Sequence, residues 1–249
     1  MAKVIVPDVA LREPNLLVPG KKPVGSVRID TSHPMAPTEY WLLSPAVGLN
    51  NLARPDNPFV SFGTYEWKGN NIFYNNKSQT TNYLKSAQYY NTTAWGVNND
   101  PFLMIISFTH YTNSDEATYA AICSSPTDTT PWLAFIQDLP ADNREWYFDN
   151  AYMDGADAGP RVGTKTVMAL QGHADGYAST YMDGVFRSTF NRGTWVSGST
   201  SDDIYLNTGY WRDAACTCEY DYLYLLMGEP SQQQVLNLLA DPYQFLIPA

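Results

Sequence analysis

The chain has 249 residues, 44% of them apolar and 14% aromatic but only 16% charged, with 18 Tyr, 7 Trp and a formal net charge of −10. This fits one large domain with a sizeable core, and the acidic balance argues against general nucleic-acid binding, which needs clustered Lys and Arg on phosphates. No apolar run approaches the roughly 18 residues of a membrane helix, and "MAKVIVPDVALREP" has Pro and Asp where the apolar part of a secretory signal would continue, so neither membrane nor signal peptide is expected.

Residues 1–30 carry five Lys or Arg against three acids, which leaves ten against twenty-two for the rest. Pro7, Pro14, Pro19, Pro23 and Pro34 remove ladder donors and bias their predecessors to extended backbone. Residues 1–34 are therefore expected to form an extended, mildly basic N-terminal arm that docks on a neighbouring subunit, with residues 35–249 as the domain. From Met35 onward the texture is strand and turn. "EYWLLSPAV" suits a buried strand, and "YEWKGNNIFYN" suits two strands around a Gly-Asn turn. "PFLMIISFTHYT" is a continuous apolar run expected as a central strand buried on both faces. "TYAAICSS", "PWLAFIQDL" and "REWYFDN" follow as further strands. "TKTVMALQGHADGYASTYMDGVFRSTF" predicts three strands joined by turns at "HADG" and at Asp183-Gly184, and "DDIYLNTGY" and "CEYDYLYLLMG" predict two more. The chain closes on "GEPSQQQVLNLLADPYQFLIPA", in which Ser231 is an N-cap, Val235, Leu236, Leu238 and Leu239 form an apolar stripe, and Pro242 stops a short helix. About a dozen short strands at regular spacing predict an all-β sandwich or barrel.

Three of these pieces resemble the closing segments of laminin-G/concanavalin A-like jelly rolls: the strand–DG–strand "STYMDGVFRSTF", the strand "DIYLNTGYW", and "EYDYLYLLMGEPSQQQVLNLLADPYQF" with Asp221 and Ser231 at signature positions. The opening "DTSHPMAPTEYWLLSP" resembles that of laminin-G-like proteins encoded by bacteriophages and prophages, with His33-Pro34 matching. The resemblance covers residues 30–45 and 165–249. It implies an all-β, concanavalin A-like (laminin-G-like) jelly-roll β-sandwich with a short C-terminal helix packed over the end of the sandwich.

Catalysis is not expected. A laminarinase-type glycosidase needs two carboxylates about 5 Å apart on one strand face, displayed in this fold as Glu-x-Asp-x-x-Glu; here Glu219 and Asp221 are followed by Tyr224 where the third carboxylate belongs. There is no Gly-x-Ser-x-Gly elbow. His33, His110 and His173 are the only histidines, and His173 lies in a turn where an Asp175 contact reads as local capping. Calcium is weighed through the oxygen-rich loops holding Asp154, Asp157, Asp175, Asp202 and Asp203, whose Asp and Gly are also ordinary turn formers. Cys123, Cys216 and Cys218, with His173, are of zinc-ligand type, but a buried reduced thiol cluster is expected instead. For glycans, the candidate aromatics are Tyr177, Tyr181, Tyr210 and Trp211, which could equally fill a core or a subunit contact.

The resemblance implies a non-enzymatic phage virion structural protein, made in the host cytoplasm, foremost a capsid decoration protein. Its partners would be the major capsid protein or other virion proteins through the arm, with self-association. The alternative is a lectin module or tail receptor-binding protein recognising bacterial surface glycans.

Overall fold

The computed structural model describes residues 17–74, 82–90, 99–111, 117–124, 132–138, 143–148, 151–153, 162–191, 200–208 and 217–249. The strands are β1 (Val27–Ile29), β2 (Glu39–Leu42), β3 (Phe59–Phe62), β4 (Glu66–Lys68), β5 (Asn71–Tyr74), β6 (Tyr83–Ser86), β7 (Phe102–His110), β8 (Ala117–Cys123) and β9 (Leu133–Asp138). They continue with β10 (Asn143–Phe148), β11 (Ala151–Met153), β12 (Lys165–Gly172), β13 (Tyr177–Met182), β14 (Val185–Asn191), β15 (Asp203–Leu206), β16 (Cys218–Met227) and, after the helix α1 (Gln232–Ala240), β17 (Leu246–Pro248). They form a seven-stranded sheet in the order β11-β10-β9-β8-β15-β6-β3, and an eight-stranded sheet in the order β14-β13-β12-β7-β16-β5-β4 with β2 also pairing β16. A two-stranded ribbon joins β1 and β17. The named strand pairs are antiparallel. The architecture is the expected all-β jelly-roll sandwich.

Strand alternation explains the layers. Met104, Ile106 and Phe108 on β7, with Met168 and Leu170 on β12, face Ile122, Leu133, Phe135, Ile204 and Leu206 of the other sheet and make the central core. Leu103 and Ile105 point the other way and would meet water unless something covered them. The cover is the two chain ends. Val235, Leu238 and Leu239 of α1, Tyr243, Phe245 and Leu246 of the tail, and Val27 and Ile29 of β1 close over Leu103, Ile105, Tyr222 and Tyr224 in a second buried cluster. The helix thus lies over the outer face of the eight-stranded sheet and not over the end of the sandwich, because the two-sided apolar strands β7 and β16 leave a whole face to bury. Each fully buried Val, Leu or Phe there contributes about 1.5–3 kcal/mol. The helix starts as expected: Ser231 Oγ accepts from Gln234 N–H at 3.3 Å while Gln234 Oε1 accepts from Ser231 N–H at 2.8 Å, a capping box.

Residues 17–34 pack on this same domain. β1 pairs with β17 in register Val27↔Pro248 to Ile29↔Leu246, and Lys22, from the Pro-rich segment, reaches Asp221 on β16. Asp221 sits at a bulge between Tyr220 and Tyr222. Its Oδ1 lies 2.9 Å from Lys22 Nζ, its Oδ2 pairs with Lys165 Nζ and accepts from Tyr243 Oη at 3.2 Å, and its side chain is 5% exposed. Lys22 Nζ also donates to Leu43 O at 2.8 Å and Asn71 Oδ1 at 2.7 Å. Residues 1–16 lie outside the described residues.

The Asp183-Gly184 turn has φ of 51° and 76°, the left-handed pair of a type I′ hairpin, and Asp183 Oδ1 accepts from Val167 N–H at 2.8 Å. A Cβ on Gly184 would meet nothing within 4 Å, so Gly184→Ala should cost only the left-handed backbone strain of about 1–2 kcal/mol. The expected readout is a Tm a few degrees lower, with no change in the folded-state spectrum.

Of the cysteines, Cys123 is buried beside Ala121, Ala134 and Tyr205 on the outer side of the seven-stranded sheet, and Cys218 lies in the central core. These two thiols therefore do not cluster. Cys216 lies outside the described residues.

Candidate functional site

The outer face of the eight-stranded sheet is not wholly covered. Beyond α1, where β12, β13 and β14 run to the sheet edge, a cleft of about 330 Å³ opens. It is lined by Gln171, His173, Asp175, Tyr177, Ser179, Tyr181, Phe186, Thr189 and Gln232.

Local sequence builds it. Tyr177, Ser179 and Tyr181 are two apart on β13 and so share a face. On β14 the phase is set by a bulge: Tyr181 opposes Phe186, but Thr180 opposes Ser188, so Arg187 is an extra residue. Bulges re-aim side chains, and this one puts Phe186 and Thr189 on the same face, towards the cleft. Phe190 is thereby turned against the central core. Without the bulge Phe186 and Thr189 would lie on opposite faces.

The lining is a hydrogen-bonding surface between two exposed rings. His173 Nε2 lies 2.8 Å from Ser179 Oγ, which lies 3.0 Å from Thr189 Oγ1, and His173 Nδ1 lies 3.0 Å from Glu229 Oε1. Tyr181 is buried and donates its hydroxyl to Gln171 Oε1 at 3.1 Å; burial pushes that phenol up, keeping it a donor. Gln171 Nε2 donates to Pro230 O at 2.6 Å, tying the cleft floor to the turn before α1. Tyr177 and Phe186 are each 38% exposed, and Asn191 Nδ2 donates to the Tyr177 hydroxyl at 3.2 Å.

The structure brings Tyr177 and Tyr181 into one cleft, with Tyr181 as its buried wall. Tyr210 and Trp211 lie outside the described residues. Among the calcium candidates, Asp175 Oδ1 accepts from Tyr177 N–H at 3.0 Å, a local turn bond. Asp203 pairs with Lys85 at 2.9 Å on the other sheet, beside Asp202, whose backbone bridges Tyr90. These three do not converge, and among the described residues no group of three or more His, Cys, Asp or Glu could hold a metal. Asp154 and Asp157 lie outside the described residues. Phe186, Ser179, Thr189, Gln171 and Glu229 were not anticipated. An apolar Phe just after the Asp183-Gly184 turn was the only signal, and the bulge that aims it carries no sequence mark. His173 meets Glu229 and Ser179, not Asp175.

No protein-family model matches the chain, and no curated protein matches it. Solved structures do match its fold. A receptor-binding domain superposes with TM-score 0.61 at 10% identity, covering 81% of this chain and 50% of its own length. The binding domain of botulinum neurotoxin DC, in complex with SialylT, gives 0.60 at 8%, covering 81% and 50%. Domain 4 of AbnA, a GH43 extracellular arabinanase from Geobacillus stearothermophilus in complex with arabinotriose, gives 0.59 at 13%, covering 82% of this chain and 98% of that domain. The chain thus spans about half the length of the receptor-binding domain and of the neurotoxin binding domain it resembles. Together, fold and neighbours place it among jelly-roll β-sandwich domains.

Proposed function

We propose that this chain is a carbohydrate-binding module of the lectin kind, seating sugar in the cleft of β12, β13 and β14. The observation that carries this reading is the pairing of two exposed aromatic rings, Tyr177 and Phe186, with a lining of hydroxyl, amide and imidazole groups. Aromatic faces pack on the apolar C–H face of a sugar, while fixed polar groups select its hydroxyls. Neighbours solved with SialylT and with arabinotriose support the class at the level of fold.

In this proposal the module binds and does not catalyse. The two carboxylates nearest the glycosidase pattern serve other ends: Asp221 is buried against Lys22 and Lys165, and Glu219 accepts from Asn71 Nδ2 and Tyr111 Oη at 2.6 Å each. The capsid-decoration reading drew on an arm reaching a neighbouring subunit. Residues 17–34 spend their apolar and hydrogen-bonding groups on this domain instead, which favours the lectin reading. As part of the proposal the module sits on a phage particle and the glycan on the bacterial surface, a placement supported by sequence resemblance alone.

Glycan-array screening of the purified chain, followed by calorimetry on the hits, tests the reading; a chain binding no glycan at millimolar concentration refutes it. Tyr177→Ala should weaken binding about tenfold, the loss of roughly 1.5 kcal/mol of aromatic contact. Its Tm should stay unchanged, because the ring is partly exposed.

A further inference from the structure

The cleft has a length and a charge, and both bear on what it takes. Tyr177 and Tyr181 are four residue steps apart on β13, about 13 Å at the rise of an antiparallel strand. Phe186 stands opposite Tyr181 and meets its ring edge-on at 5.6 Å. The two exposed rings therefore flank opposite ends of a trough longer than a single sugar ring. Between them run the Ser179 and Thr189 hydroxyls and His173. The charged groups of the described residues at the cleft are acidic: Asp175 lines it and Glu229 holds His173 from behind. Arg187, the extra residue of the bulge, is exposed and not part of the lining. Two carboxylates near a site repel an anionic sugar and leave a neutral one unaffected.

Resting on the carbohydrate reading above, we infer that the cleft takes a neutral oligosaccharide lying along β13, with one sugar on Tyr177 and another on Phe186. It discriminates against monosaccharides and against sialylated or uronic sugars. A monosaccharide can engage one ring only, so chain length and not one sugar's identity sets affinity. Both rings then contribute to one ligand only when that ligand spans the trough.

The test is calorimetry of the intact chain with maltotriose, xylotriose and mannotriose, their monosaccharides, and 3′-sialyllactose, repeated on Tyr177→Ala and Phe186→Ala. The expected result has at least one neutral trisaccharide binding ten-fold or more tighter than its monosaccharide and than 3′-sialyllactose. Each substitution should then lower trisaccharide affinity at least five-fold, with the monosaccharide sensitive to one substitution at most. Equal affinity for mono- and trisaccharide, or tighter binding of 3′-sialyllactose, or indifference of the trisaccharide to either ring overturns the inference while leaving a lectin. No binding to any sugar, in this panel or on an array, overturns the inference together with the function it rests on.

Discussion

Asp221→Ala should cost the domain about 3–5 kcal/mol, the penalty for leaving a buried charge without its partner. Lys22 and Lys165 converge on this carboxylate, whose side chain is 5% exposed, while the Lys22 side chain is 10% exposed. In differential scanning calorimetry the loss should appear as a Tm lower by about 10 °C. Replacing the two buried members with apolar residues, Lys22→Met with Asp221→Leu, should recover much of it, since the remaining Lys165 is half exposed and no buried charge is then stranded. The pair also sets an acid limit. Burial pushes the Asp221 carboxyl up, but Lys22 and Lys165 outweigh that and hold it below the ordinary aspartate value. Lys22 itself is lowered, because burial costs its ammonium more than an aspartate shared with Lys165 returns. With the carboxyl lowered on folding, its contribution is complete above the unfolded value of about 3.9 and drains as pH falls through the folded one. Denaturation midpoints should therefore drop below about pH 4 in the native chain, and much less in the apolar double variant. A midpoint as acid-sensitive in that variant as in the native chain would refute the assignment.

Deleting residues 1–34 should unfold the domain, not trim it. The deletion removes Val27 and Ile29, each 5% exposed, strips β17 of its partner strand, and leaves Asp221 without Lys22. Two apolar side chains at about 1.5–3 kcal/mol each and a broken buried pair at about 3–5 kcal/mol sum to roughly 6–11 kcal/mol, as much as a typical domain's whole stability. A deletion of residues 1–16 alone leaves Lys22, Val27 and Ile29 in place and serves as the control. Circular dichroism and thermal melts of the two truncations distinguish the outcomes; a cooperative melt near the native Tm in the longer deletion would show that the N-terminal segment is an appendage after all.

How much of this was legible depended on range. Local chemistry read well: the Asp183-Gly184 turn, the Ser231 cap and the uninterrupted apolar β7 are all where the sequence places them. Each is decided within a few residues by backbone sterics, a cap, or the burial of both strand faces. The two-sided β7 even demanded a cover, but nothing in its composition says which segment supplies it. Pairings across the chain were not legible. Lys22 and Asp221 lie 199 positions apart, and a lysine among prolines looks like any solvated charge until the fold carries an aspartate to it. The prolines did enforce extended backbone, yet extended backbone serves a strap on its own domain as well as an arm on another. In the site, Tyr177 stood out as an aromatic near a turn, whereas Phe186 depends on a one-residue slip in β14 that inverts every face beyond it.

The ribbon of β1 and β17 has a mechanical corollary. Val27 faces Pro248, and Ala249 N–H donates to Ser26 O at 3.2 Å, so the outer ends of the two strands meet at one corner. Antiparallel rungs lie crosswise to their strands, and tension applied to both ends acts along the first rung alone before passing to the next. Pulled apart at those ends, the ribbon opens like a zip and not like a glued lap joint, its resistance at any moment that of a single crossbar.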